Sequence, residues 1–372
     1  MPLTQVPSGM LQTTAQYYGF KNRIINGAMN VNQYNSGSVT ITNTSNATYV
    51  FDRWAGYGTT ASKFSVQQTP STTETNYATR VGAGFINYLA ATSLAATTLG
   101  ATDWYDIRQP IEGLNVTDLG WGTSSAKTIT LSFWAYSSLT GTFGGSIINS
   151  STTRSYPFSY SIPVANTWTQ ISVTIPGDTS GTWLTTNGIG IFVIWSLGSG
   201  SSKQGTTGVW SSAFYTAPTG AVNVVATNTA TFYITGVQLE VGSTATSFDY
   251  RPYGTELALC QRYYEQSYDI GTVAGTNTTN GMTNLSIASD GSGNAGAMIV
   301  YKVQKRAAPT ITAYTSGGTS GSWSYERSGV GTTSTSVTVT FIGQYQCAPY
   351  SGVGASWVPV RYYGHWTASA EL

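Results

Sequence analysis

The sequence predicts an all-β protein, and three observations favour that class. Only 8% of the 372 residues are charged, whereas Gly (42 residues) and aromatic residues (13%) are abundant. Runs of β-branched and aromatic residues alternate with Thr, Ser or Gln, which is the period-two pattern of a strand with one buried face. Clusters of Gly, Asn and Ser divide these runs at short intervals. Many short strands at this spacing are typical of a two-sheet jelly roll.

The clearest strand predictions cover both halves of the chain. In the first half they are residues 22–29, 49–54, 128–136, 168–175, 190–195 and 230–240. In the second half they are residues 297–303, 309–314, 336–341 and 360–366.

The start of the chain differs from the strand-rich part. The first twenty residues have no hydrophobic period and contain the chain breakers Pro2, Pro7 and Gly9. We therefore expect residues 1–21 to form an extended N-terminal arm that docks on a partner protein.

The rest of the chain is long enough for two modules. Residues 22–255 are expected to form the jelly-roll β-sandwich. Helix formers with apolar residues three and four positions apart predict a short linking helix over residues 256–265. This helix opens the second module, residues 256–372, which is expected to be a smaller C-terminal β-sandwich knob of about five or six strands.

Charge and cysteine content exclude several classes of function. The net charge is +1, so no strong field is available to hold a nucleic acid. No run approaches the ~20 apolar residues that span a membrane, and no secretory signal precedes the first strand. We expect Cys260 and Cys347 to be buried free thiols, with a single disulfide within the second module as the alternative.

Aromatic side chains are the candidate binding residues. Sugar rings bind flat aromatic faces that are surrounded by neutral hydrogen-bonding groups, and this chain is rich in both. The candidates in the first module are Trp121 and Trp183, for which packing in a core or an interface is the alternative. Those in the second module are Trp323, Tyr325, Tyr350 and Trp357.

No catalytic constellation is evident in the sequence. Four acids, Asp103, Asp106, Glu112 and Asp118, flank Trp104 and Arg108. We interpret them as solvated charges or as ion-pair partners of Arg108, not as the paired carboxylates of a glycosidase. His365, the single histidine, is predicted to be a strand or interface residue. No Cys/His spacing indicates zinc and no glycine loop carries a phosphate-binding lysine, so we expect no enzyme activity and no cofactor.

Several segments resemble a known family, the tail-fibre and receptor-binding appendage proteins of tailed bacteriophages. They are residues 22–29 with 51–54, residues 235–242 running on through 248–264, and the ending 367–372. Residues 133–135 and 168–183 resemble the carbohydrate-binding-module jelly roll that such proteins often carry. Such modules often hold a structural calcium, but nothing in this sequence marks its ligands.

The resemblance implies a homotrimeric virion protein that is assembled in the host cytoplasm. Its arm would bind other virion proteins, and its distal module would attach to host surface polysaccharide. Two alternatives stay open: a capsid decoration or other appendage subunit without a receptor role, and a glycan-degrading tailspike. The sequence does not encode position on the particle, whereas a tailspike requires an acid pair in an aromatic groove.

Overall fold

The computed structural model describes residues 20–34, 37–73, 77, 81, 84–329 and 331–372. Over these residues the chain is all-β, with strands β1–β24 and a linking helix α1 (Tyr253–Gln261). Residues 1–19 of the predicted N-terminal arm lie outside the described residues. Short 3-10 turns occur at Ser71–Thr73, Gly113–Asn115, Thr117–Leu119, Ser201–Lys203 and Val224–Ala226.

The first module is a sandwich of two six-stranded antiparallel sheets. Sheet A consists, in spatial order, of β1 (Val39–Thr40), β4 (Phe64–Pro70), β5 (Asn87–Ser93), β14 (Thr231–Val241), β7 (Ile129–Ser137) and β10 (Thr169–Ile175). Sheet B consists of β2 (Thr48–Phe51), β3 (Trp54–Gly58), β6 (Trp104–Glu112), β11 (Ile189–Ser199), β8 (Gly141–Asn149) and β9 (Ser155–Ile162). A parallel pair, β12 (Gln204–Gly205) and β13 (Ala217–Pro218), lies beside sheet B.

The core of this module lies between the two sheets. In β7, Leu131 and Phe133 are buried, whereas Trp134 and Tyr136 are half-buried and point to the outer side. Phe133 packs edge-on against Trp195 of β11 at a centroid distance of 5.6 Å. The period-two pattern of the sequence is therefore the pattern of the two faces of sheet A.

The second module is built around a central eleven-residue strand, β24 (Pro359–Ser369). Its first half pairs with β16 (Thr283–Ala288) and β20 (Ser322–Arg327), and its second half with β15 (Tyr264–Gln266) and β19 (Thr310–Tyr314). Strand β21 (Gly331–Ser336) continues the sheet beyond β20. A second sheet joins β23 (Gln346–Gly352) to β17 (Asn294–Gly296), β18 (Ile299–Val300) and β22 (Thr338–Thr340).

Most of the predicted strands are confirmed, but five predictions need correction. Residues 22–29 are not a strand, and residues 49–54 are a hairpin whose turn, Asp52–Arg53, separates β2 from β3. Only Ile299–Val300 of the predicted strand 297–303 is extended and paired. The helix begins earlier than predicted, at Tyr253, and it also ends earlier, because Tyr264–Gln266 pairs with β24 as a strand. The second module has ten strands in the described part, more than expected.

Cys260 and Cys347 are free and buried, as predicted. Among the described residues, no helix combines the length and apolar character needed to cross a membrane. The division of the chain at residue 255 stays a prediction.

Candidate functional site

The outer side of sheet A carries a row of aromatic rings. Tyr88, Tyr233 and Tyr136 lie on the adjacent strands β5, β14 and β7, with centroid distances of 5.1 Å and 4.9 Å along the row. Trp168, which precedes β10, contacts both Tyr88 and Tyr136 at 5.5 Å. Trp134 lies two residues from Tyr136 on the same side of β7. We call these five residues the sheet A aromatic face.

Two of the five residues of this face are covered and three are partly accessible. Tyr77 packs edge-on against Trp168 at 5.3 Å, and both Tyr88 (2% exposed) and Trp168 (6%) are buried. Trp134, Tyr136 and Tyr233 are only partly buried. The accessible part therefore presents three aromatic side chains held in place by a packed layer beneath them.

The surroundings of the face are polar and uncharged. The outward positions beside it hold neutral side chains, namely Gln67, Thr92, Thr231, Gln170 and Ser172. Glu240 of β14 is the single charged residue in the six strands, and it is buried and bonded to the backbone N–H and hydroxyl of Thr246. Aromatic surface surrounded by amides and hydroxyls is chemically suited to a neutral polyhydroxylated ligand.

The sequence candidates Trp121 and Trp183 are brought together, but they are mostly buried. Their rings meet edge-to-face at 4.7 Å, and both contact Trp210, which sequence reasoning did not select. The Trp121 indole N–H donates to the carbonyl of Lys127 and that of Trp183 to the carbonyl of Ser180. With 8% and 9% exposure they match the packing alternative, although both border a cavity of about 210 Å³.

The expectation that Trp323 and Tyr325 offer stacking faces is wrong. Both lie on the inward side of β20, where Trp323 is 0% and Tyr325 is 7% exposed. Trp323 packs against Tyr362 at 5.0 Å and its indole N–H donates to the carbonyl of His365 at 2.7 Å. Because strand residues alternate between faces, these two rings belong to the core of the second module.

Tyr350 and Trp357 are exposed, as their candidate roles require. Tyr350 is 37% exposed on β23 and borders an apolar groove of about 530 Å³ together with Met298 and Phe341. Trp357 is 76% exposed in the loop before β24. Their assignment as ligand contacts stays a prediction.

The four acids selected from the sequence each have structural partners. Asp106 forms a two-pronged ion pair with Arg108 at 2.5–2.6 Å, as predicted, and burial raises the pKa of Asp106 despite the guanidinium. The other three have different partners: Asp103 accepts from Gly100 N and Thr59 Oγ1, Glu112 from Arg262 and Tyr263, and Asp118 from Arg23.

His365 lies in β24, as predicted. Its Nδ1 is 3.0 Å from Ser267 Oγ and its Nε2 is 3.0 Å from the carbonyl oxygen of Thr278, while its ring stacks on Tyr268. Burial lowers the pKa of His365, so the neutral imidazole is favoured. No group of three or more His, Cys, Asp or Glu side chains suited to a metal ion occurs within the ranges that the structure describes.

Sequence reasoning missed the sheet A aromatic face, although a signal for part of it was present. Strand 128–136 was predicted, and its alternation places Trp134 and Tyr136 on the side opposite Leu131 and Phe133. The contribution of Trp168 depends on the pairing of β10 with β7, which the sequence alone does not reveal.

Comparison with known proteins yields partial likenesses in structure only. No protein-family model and no curated protein matches the sequence. The family 11 carbohydrate-binding module of a Clostridium thermocellum cellulase, Lic26A-Cel5E, is 12% identical over 56% of this chain and 97% of its own, with a TM-score of 0.26. The tandem CBM22 domains of Paenibacillus barcinonensis Xyn10C are 7% identical over 89% of this chain and 99% of their own, with a TM-score of 0.26.

A phage protein is also among these neighbours. The enzymatically active domain of tailspike protein 4 of bacteriophage CBA120 is 10% identical over 59% of this chain and 21% of its own, with a TM-score of 0.29. Identities and TM-scores in this range assign no function, so the geometry of the chain itself has to support one.

Proposed function

We propose that this chain is a glycan-binding structural subunit of a tailed-phage particle, a tail-fibre or receptor-binding protein that attaches to host surface glycan without cleaving it. The observation that carries the glycan half is the sheet A aromatic face. Three partly exposed aromatic rings lie within a surface whose strands contain no exposed charge. A sugar ring places its C–H groups on such rings while its hydroxyls bond to neighbouring amides and hydroxyls.

The face is also rigid enough to bind with a small entropic cost. Tyr136 and Tyr233 stack with an interplanar angle of 6°, and Trp168 and Tyr77 pack on the same row. Rings that are already ordered lose little rotamer freedom on binding, so more of the contact energy appears as affinity.

Replacement of Trp134 by alanine tests the glycan half. We expect the dissociation constant for a bound oligosaccharide to rise at least about tenfold, because a stacked aromatic contact typically accounts for more than about 1.4 kcal/mol. Trp104→Ala is the matched control, since Trp104 is a half-buried tryptophan on the outer side of sheet B, beside Tyr57 and Lys203. Equal loss in both variants, measured by calorimetry on an oligosaccharide panel, would contradict the assignment.

The virion half is supported by the resemblance of the segments at both ends of the first module to phage appendage proteins. Immuno-electron microscopy of the intact particle distinguishes a tail fibre from a capsid decoration subunit. Release of reducing sugar from host polysaccharide would indicate the tailspike alternative instead. A chain beginning at residue 22 is expected to fold but to fail to join the particle.

A homotrimer is the assembly that we propose for this subunit. The second module exposes Met298, Val300, Phe341 and Tyr350 on one side of its smaller sheet, between 37% and 78% each. The four strands of that sheet contain no charged residue. An uncharged apolar patch of this kind is suited to contact with further copies of the chain.

A further inference from the structure

Among the residues that the structure describes, Trp357 has the most exposed tryptophan side chain. It is 76% exposed in the loop that joins β23 to β24, and its φ of 57° lies in the left-handed region. A bulky residue rarely adopts that conformation, so the surrounding structure must hold it there.

Two loops hold the indole in this position. Gly291 packs against the indole, because a Cβ on Gly291 would lie 2.9 Å from Trp357 Cζ2 and 3.3 Å from its Cε2. Ser289 Oγ donates to the carbonyl of Ala355 at 2.7 Å and accepts from the N–H of Val358 at 3.0 Å. Ser356 Oγ donates to the carbonyl of Gly291 at 3.0 Å. The indole is therefore supported by the backbone of the Gly291 loop, and most of its surface stays accessible.

The indole lies at the end of the second module that is farthest from the first. Ser369, at the end of β24, pairs with Tyr264 directly after the linking helix. Trp357 precedes the start of β24 at Pro359, and at about 3.3 Å per residue this strand is roughly 30 Å long. A large ligand or a host surface can reach this end without contacting the first module.

Two charged side chains on the neighbouring loops, Asp290 and Arg327, differ in whether they already have hydrogen-bond partners within the protein. The Asp290 carboxylate accepts from the N–H groups of Ser292 and Asn294 within its own turn, which lowers the pKa of Asp290. Arg327 extends to the Trp357 loop, where its Nη2 is 3.5 Å from the position of a Cβ on Gly354. Within the part of the chain that the structure describes, Arg327 forms no ion pair and its Nε has no hydrogen-bond partner. Because that Nε is itself buried, the donors that Arg327 retains for a ligand oxygen are the N–H groups of its Nη atoms.

We propose that Trp357 anchors a second saccharide site, separate from the sheet A aromatic face, at the free end of the second module. A pyranose ring stacks on the accessible side of the indole, and Arg327 donates to an oxygen substituent of the ring. This inference rests on the proposed function, because it assigns a second contact to the same class of ligand.

Fluorine NMR of the full chain labelled with 5-fluorotryptophan tests the site directly. Trp357→Phe and Trp134→Phe assign the two resonances among the 11 tryptophans. The probes are oligosaccharides of neutral hexose, N-acetylhexosamine or hexuronic acid units. We expect at least one probe to shift the Trp357 resonance saturably, also in a Trp134→Ala chain.

Affinity measurements with the same probe complete the test. Trp357→Ala is expected to raise the dissociation constant at this site about tenfold, and Arg327→Gln by a smaller factor. Ile270→Ala removes another exposed apolar side chain of the second module (49% exposed) and should change nothing.

The outcomes separate the two proposals. A probe that shifts the Trp134 resonance and leaves Trp357 unmoved overturns the second site while glycan binding stands. If no probe shifts either resonance, both proposals fail.

Discussion

At the scale of single residues, Asp52 is a carboxyl group in an unusual environment. It is 1% exposed in the turn between β2 and β3, where it accepts hydrogen bonds from the backbone N–H and the side-chain amide of Gln33, both at 2.5 Å. Burial raises the pKa of Asp52 to about 7, and the hydrogen bonds from Gln33 oppose that rise. The folded protein therefore binds this proton more tightly than the unfolded chain does.

This raised pKa predicts a stability profile that falls with increasing pH. The contribution of Asp52 is fully present below about pH 4 and is lost as the pH rises through about 7. Over that window the free energy of unfolding should fall by up to about 1.4 kcal/mol per pH unit from this group. His365 has a lowered pKa and therefore the opposite effect: its contribution to the free energy of unfolding decreases as the pH falls below about 6.5.

Asp52→Asn isolates the effect, because it keeps the size of the side chain and removes its titration. The free energy of unfolding of both chains is measured by urea denaturation between pH 4.5 and 8, a range set by the pKa limits above. It should fall less steeply with increasing pH in the variant. Parallel profiles would show that Asp52 titrates normally in the folded state.

The exposure of individual aromatic residues was only partly predictable from the sequence. Trp323 and Trp357 both follow glycine-containing stretches, yet one is fully buried and the other is 76% exposed. Trp323 of β20 packs against Tyr362 of the neighbouring strand β24, a contact between residues far apart in sequence. Local pattern does not contain that information.

At the scale of elements, β24 depends on a glycine at its centre. A Cβ on Gly364 would lie 2.2 Å from Cδ1 of Trp323, whose indole is fixed by its hydrogen bond to the carbonyl of His365. The absence of a side chain at residue 364 therefore leaves room for the Trp323 ring to lie over β24, on the inner face of the sheet that β20 and β24 share.

Gly364→Ala is predicted to destabilise the second module by about 1–3 kcal/mol, the usual range for overpacking a core. Gly352→Ala is the matched strand control, because the nearest atom to its Cβ is Asn294 Oδ1 at 3.8 Å. Chemical denaturation followed by tryptophan fluorescence should separate the two variants. Equal stability would mean that Trp323 relaxes without cost.

Elements with strict alternation were predictable, and irregular ones were not. Strands β7 and β10 match the predicted runs 128–136 and 168–175 within one or two residues. Residues 22–29 have strand-like composition, but Asn26 bonds through its side chain to the backbone of Val31 and Asp52 and adopts a φ of 59°. Side chain to backbone bonds of this kind compete with strand pairing.

At the scale of the whole molecule, segments far apart in the sequence meet where the first sandwich contacts the residues after the linking helix and the end of the chain. Arg53, fully buried between β2 and β3, pairs with Glu371 and lies over the ring of Tyr263 at 3.6 Å. Glu112 accepts from Arg262 and Tyr263. These segments are far apart in sequence, and their common role as a polar junction became visible only in the fold.

The charged side chains of this junction are largely buried, since those of Arg53 and Glu371 are 1% and 7% exposed and that of Glu112 is 0% exposed. Removing one member of a buried ion pair leaves the other charge without compensation, which is more costly than the pair is stabilising. The low content of charged residues, 8%, makes the meeting of Arg53, Glu371, Glu112 and Arg262 at this junction informative. It also leaves the remaining surface dependent on neutral contacts.

Assembly is the last prediction, and it follows from that neutral surface. Met298, Val300, Phe341 and Tyr350 form one apolar patch, whereas exposed apolar side chains of monomers are usually scattered singly. The strands of the patch carry no charge that would repel another copy. We expect light scattering at micromolar concentration to give three times the chain mass of 39.4 kDa. Phe341→Glu, at the most exposed position (78%), should shift the mass towards the monomer because it buries an unpaired carboxylate. Leu114→Glu, at a 54% exposed position of the first module, should leave the trimer intact. A monomer mass for the unaltered chain, or dissociation by both substitutions alike, would contradict assembly through this patch.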